Sequence, residues 1–75
     1  MKLAEQQGSP RRIVLDGTAV YWTNHDDGRV MRATLPGAEL TTVAAGQNAP
    51  SGLAVDASGV YWTNEGDGTV MRSEK

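Results

Sequence analysis

The single histidine of this 75-residue chain, His25, lies in NHDDG (24–28), and that stretch returns 40 positions later as NEGDG (64–68). Together the two stretches hold 4 of the 9 acidic residues: Asp26, Asp27, Glu65 and Asp67. A histidine and a glutamate at equivalent positions suit acid–base work if they face one pocket. A rim of carboxylates suits a cation or a basic ligand. Asn24, His25, Asp26, Asn64 and Glu65 are therefore the candidate ligand-binding residues. No metal site and no cofactor are expected. The carboxylates are misspaced for a calcium loop, with Thr34 where the bidentate glutamate would stand. Hairpin chemistry already accounts for Asp27-Gly28 and Asp67-Gly68, because both residues of such a pair tolerate positive φ. Cysteine is absent, which removes disulfides and thiolate ligands. Ser9, Ser51, Ser58 and Ser73 lack a base to activate them, so no catalytic residue is assigned.

These residues sit inside a longer echo. VYWTNHDDGRVMR (20–32) and VYWTNEGDGTVMR (60–72) agree at 10 of 13 positions. Before each lies a short apolar run, Ile-Val-Leu at 13–15 and Leu-Ala-Val at 53–55, followed by the turn signals DGTA and DASG. Val-Tyr-Trp-Thr at 20–23 and 60–63 is β-branched and aromatic, which favours a strand. Arg29–Ala33 and Thr69–Ser73 are the partner strands, and Leu40–Ala44 is a fourth after the turn LPGAE. A turn signal about every ten residues leaves no room for a helical period. The chain is all-β.

Trp22 and Trp62 recur in register and are expected to fill space between sheets and hydrogen-bond locally rather than to form stacking platforms. Tyr21 and Tyr61 point to the opposite strand face. Met31 and Met71 are core filler, and Arg32 and Arg72 are expected in strand-edge salt bridges. With 7 basic and 9 acidic residues the net charge is −2, and no basic stripe for nucleic acid is visible. Arg11-Arg12 is the longest basic run and reads as a solvated strand end. No apolar stretch reaches the length of a membrane span. The compartment is left open.

Four short strands in about 40 residues is the repeat associated with propeller blades. The stretches IVLDGTAVYWTNHDDGRVMR (13–32) and LAVDASGVYWTNEGDGTVMR (53–72), extended by LPGAE and LTTVAAG, resemble the YWTD-type β-propellers, with kinship to NHL-type propellers. The motif aspartate of that family is Asn24 or Asn64 here, which keeps an acceptor oxygen and loses the charge. The resemblance implies six blades and a binding or scaffold role rather than catalysis. Aligning KLAEQQGSP (2–10) with TVAAGQNAP (42–50) divides the chain into three pieces. Residues 1–8 are a fourth strand for a neighbouring chain's last blade, 9–48 a complete blade, and 49–75 three strands of a second. Two blades cannot close a ring, as propellers need about 4–8, so closure by self-association is expected. A homotrimer gives six blades and a homotetramer eight, through a head-to-tail contact. The expected function is a non-catalytic scaffold or ligand-binding module, with itself as partner and one ring face open to a small molecule or protein. Two alternatives stand beside it. One is a hydrolase- or lyase-type enzyme on the acidic rim, and the other an engineered or ancestral-like assembly fragment without a ligand.

Overall fold

The computed structural model describes residues 2–75 and contains strands and turns without helix among them. Seven strands form two antiparallel sheets. The first sheet holds β1 (Pro10–Asp16), β2 (Ala19–Asn24), β3 (Arg29–Thr34) and β4 (Glu39–Ala44), in that order. The second holds β5 (Pro50–Val55), β6 (Gly59–Asn64) and β7 (Thr69–Glu74). Segments 9–48 and 49–75 thus carry four and three strands. In segment 1–8, residue 1 lies outside the described residues, and residues 2–8 form bends and irregular chain rather than a strand.

The local chemistry explains the turns. Asp16 pairs with Ala19 across a two-residue turn, and Gly17 alone takes a positive φ, 60°. That is the glycine-first pattern of a tight hairpin. In the second sheet Asp56 Oδ1 accepts from the amides of Ser58 and Gly59 at 2.9 and 3.0 Å, and no left-handed residue is needed. The Asp-Gly hairpins differ from the two-residue turn expected from sequence. Asn24 pairs with Arg29, so four residues intervene, and only Gly28 (φ 66°) takes a positive φ. The Gly28 amide donates to Asn24 O at 3.0 Å, and the Gly68 amide to Asn64 O at 2.9 Å. Asp27 meanwhile accepts from Arg29, which keeps its side chain at the loop base.

Strand alternation puts residues 19, 21 and 23 on one face of the first sheet and 20, 22 and 24 on the other. Ala19, Tyr21 and Val30 pack against Val60 and Trp62 of the second sheet, joined by Val43, Leu53 and Val55. This is the core between the sheets. On the far face of the first sheet, Val20, Trp22, Met31 and Ala33 form a second cluster, covered by Leu3, Ala4 and Leu35. The sheets meet along β1 and β2 against β5. Thr23 links them at this junction: buried, it donates through Oγ1 to Ser51 O at 2.9 Å.

The connectors before β1 and β5 strap onto the hairpins in the same way. His25 N donates to Ser9 O and Asp26 N to Gly8 O, while Glu65 N donates to Ala49 O and Gly66 N to Asn48 O, all at 2.9–3.0 Å. Space along the strap is tight in both repeats, against Asp27 in the first and Asn48 in the second. A Cβ on Gly8 would run into the Asp27 side chain, and one on Gly66 into Asn48. Where the connector carries glycine the hairpin carries Asp26, and where it carries Asn48 the hairpin carries Gly66. Gly66→Asp alone is expected to cost about 1–3 kcal/mol through overpacking. Adding Asn48→Gly should recover most of that loss. Urea unfolding of the two single variants and the double variant measures this coupling.

Candidate functional site

Two structures recur along the edge where the hairpins and connectors meet. The first is a three-residue clamp. Gln7 Oε1 accepts from Trp22 Nε1 at 3.2 Å and from Asn24 Nδ2 at 2.6 Å. Forty residues on, Gln47 Oε1 accepts from Trp62 Nε1 at 3.1 Å and from Asn64 Nδ2 at 2.9 Å. In each case the glutamine comes from the connector entering the sheet, and the tryptophan and asparagine come from its second strand. Both asparagines are buried, and among the described residues their Oδ1 atoms have no hydrogen-bond partner. Asparagine suits this position because it offers a donor to the glutamine oxygen without placing a charge in the interior. Of the five predicted site residues, Asn24 and Asn64 therefore lie inside the molecule and hold the connectors.

The second structure brings the other three together on the rim. His25 Nδ1 lies 3.1 Å from Asp26 Oδ1, and its Nε2 lies 3.2 Å from Glu65 Oε1. The ring thus spans the two sheets, with most of its side chain covered. Only the protonated imidazolium can donate to both carboxylates at once. Ser9 Oγ donates to Asp26 Oδ2 at 2.8 Å, and Ser51 Oγ lies 3.5 Å from Glu65 Oε2. Both hydroxyls face carboxylates rather than the imidazole, so no serine–histidine relay is assembled.

The other acidic groups of the rim are engaged as well. Asp27 pairs with Arg29 through Oδ2, and Asp67 Oδ1 accepts from Thr69 Oγ1 at 2.7 Å. Hydrogen bonds from His25 and then Ser9 hold the Asp26 carboxyl below the usual carboxylate range, and Arg29 does the same for Asp27. No group of three or more histidine, aspartate or glutamate side chains able to hold a metal ion exists among the described residues.

The arginines of the repeat depart from the expected salt bridges. Arg32 lies over the Tyr21 ring at 6.0 Å and Arg72 over Tyr61 at 5.8 Å. Arg72 also donates to Ser58 O at 3.2 Å. The ring face of the tyrosine beneath takes the place of a carboxylate. Sequence reasoning missed Gln7 and Gln47, although both stand three residues before a proline, at the same 40-residue offset as the rest of the repeat.

No protein-family model matches the chain, and no curated protein matches it.

Gln47→Leu should destabilise the chain by about 1–3 kcal/mol, because it leaves the Trp62 indole N–H without an acceptor and Asn64 Nδ2 with Thr69 Oγ1 alone. Urea unfolding followed by tryptophan fluorescence reads this directly, and Gln47→Glu, which keeps an acceptor, should lose less. Acid unfolding gives a separate check. The folded-state pKa of Asp26 lies below its unfolded value. Its stabilising effect is therefore complete above the ordinary carboxylate pKa of about 3.9 and is lost as pH falls through the folded value. A carboxyl NMR titration should give Asp26 a lower midpoint than free aspartate, and His25→Ala should move that midpoint up.

Proposed function

We propose that the chain is a non-catalytic scaffold module of the YWTD-like β-propeller kind, whose two sheets are blades and whose copies close a ring head to tail. One observation carries this reading. The outer face of each sheet is the repeat equivalent of the face that the other sheet buries. Val30 is 0% exposed between the sheets, and its counterpart Val70 is 76% exposed. Leu53 and Val55 are half-buried against the core, while their counterparts Ile13 and Leu15 are 65% and 72% exposed. Thr23 is buried and Thr63 exposed. Each copy thus presents both halves of an interface that it already forms once internally. Such a contact is heterologous and closes where the rotation fits.

The N-terminal segment supports the same occupant. Leu3 and Ala4 lie over the first sheet as Val43 and Ala44 lie over the second, and Gln7 reaches Trp22 as Gln47 reaches Trp62. Between this segment and β1 is a cavity of about 430 Å³ floored by Val20 and Trp22. A second copy's β5–β6–β7 sheet fits that slot by repeat equivalence, with its free β7 edge against residues 2–6. Strand pairing there would supply the fourth strand of the second blade and remove two open edges. Three copies give six blades, the number the family resemblance favours, and four give eight.

Light scattering behind a sizing column, across a concentration series, tests this. A mass near three times 8.0 kDa is expected for the trimer. Val70→Asp should leave the single chain folded, because Val70 is exposed in it, and should hold the mass at one copy. A folded wild-type monomer at every concentration would overturn the reading.

A further inference from the structure

Inside the chain, the corner where the two sheets meet is closed by side chains from three positions. Thr23, two residues before His25, donates through Oγ1 to Ser51 O at 2.9 Å. His25 Nε2 lies 3.2 Å from Glu65 Oε1, and Glu65 Oε2 lies 3.5 Å from Ser51 Oγ. The first sheet thus brings a threonine and a histidine to this corner, and the second receives them with Ser51 and Glu65.

At a junction between copies the repeat equivalents are Thr63 for Thr23, Glu65 for His25 and, in the next copy, Arg11 for Ser51. The threonines are held alike on their own sheets. Thr23 Oγ1 accepts from the Arg12 amide at 3.3 Å, and Thr63 Oγ1 from the Gly52 amide at 2.9 Å. The hydroxyl hydrogen of Thr23 goes to Ser51 O, whereas Thr63 is exposed and its hydroxyl hydrogen has no acceptor among the described residues. The neutral pair His25 and Ser51 of the internal corner is replaced by Glu65 and Arg11, which carry opposite charges.

Arg11 stands where this contact needs it. It is exposed, lines the slot that receives the second copy, and forms no ion pair among the described residues. Hydrogen bonds from His25 and Ser9 hold the Asp26 carboxyl low, and the charges of His25 and Arg11 lower it further, so Arg11 lies near the rim. Glu39 and Glu74 also lack an ion pair, but they are in register with Thr34 and Gly59, at the opposite end of the sheets. A carboxylate arriving at the rim from another copy meets His25, Asp26 and Arg11, and Arg11 is the group that offsets its repulsion from Asp26.

We propose that Thr63 and Glu65 of one copy latch onto Arg11 of the next, the hydroxyl donating to the Arg11 carbonyl and the carboxylate accepting from its guanidinium. The proposal rests on the ring reading and adds what sets the direction of the contact. Two first sheets meeting would oppose His25 and Arg11, and two second sheets Glu65 and Ser51. Only the head-to-tail contact pairs opposite charges.

Light scattering across a concentration series, on the wild type, Glu65→Arg, Arg11→Glu and the double exchange, tests the latch. Each single variant puts like charges at the contact and should raise the concentration at which the ring forms by about tenfold or more. The double exchange should recover most of that loss, although it does not restore the internal contact between His25 and Glu65. Arg11→Gln serves where a reversal impairs folding, because Arg11 is exposed and unpaired in the single chain; its assembly should be weaker than wild type and less dependent on salt. Variants that assemble like wild type, or a loss that the double exchange does not recover, would overturn the latch and leave the ring standing. A wild-type chain that stays monomeric at every concentration would overturn both.

Discussion

One glutamine oxygen taking two buried donors is the interaction on which the arrangement of this chain depends. A sheet of three or four short strands has no means of its own to fix where the incoming chain lies. Gln7 and Gln47 supply it by reaching from the connector to an indole and a side-chain amide on the second strand. Tryptophan gives the largest apolar surface of the repeat, but its buried N–H must find an acceptor. The clamp satisfies that requirement and, in the same step, places the preceding segment against the tryptophan's cluster, Leu3 and Ala4 in the first repeat and Val43 and Ala44 in the second. Packing and hydrogen bonding are therefore not separable here. The connector's position decides which residues of the next face are covered.

The rim follows from the clamp. With the connectors strapped down, the carbonyls of residues 8–9 and 48–49 meet the amides of 25–26 and 65–66. His25 then spans the sheets between Asp26 and Glu65. The acidic character of the hairpins is largely spent on this internal work. Charge density along a sequence is a poor guide to ligand charge when the partners of each group come from other parts of the chain. Once those partners are known, the charged groups without an ion pair among the described residues include Arg11 and Arg12 but also Glu39 and Glu74.

The all-β character and the strands of the two sheets were legible in the sequence because their signals are local. Strand and turn chemistry at Asp16–Ala19, Asp56–Gly59 and the Val-Tyr-Trp-Thr runs is carried by adjacent residues and is repeated at a fixed offset. Strand alternation separated Tyr21 from Trp22 correctly for the same reason. The length of the Asp-Gly hairpins was not legible in this way. Asp-Gly permits a two-residue turn, but a bond from the glycine amide back to Asn24 O selects four residues instead. The candidate site was half legible. His25, Asp26 and Glu65 could be placed on one rim from the repeat, whereas Asn24 and Asn64 differ from them only in which way an adjacent side chain points.

The sequence by itself determined the strands, their order and the alternation of their faces, since these depend on residue type and spacing alone. The tertiary structure decided which charges are spent, which asparagines are interior, and which of two equivalent faces is covered. The physical reason is that identical residues acquire different surroundings when the repeats stack. Val30 and Val70 occupy equivalent places in the sequence, yet only Val30 has a sheet packed against it.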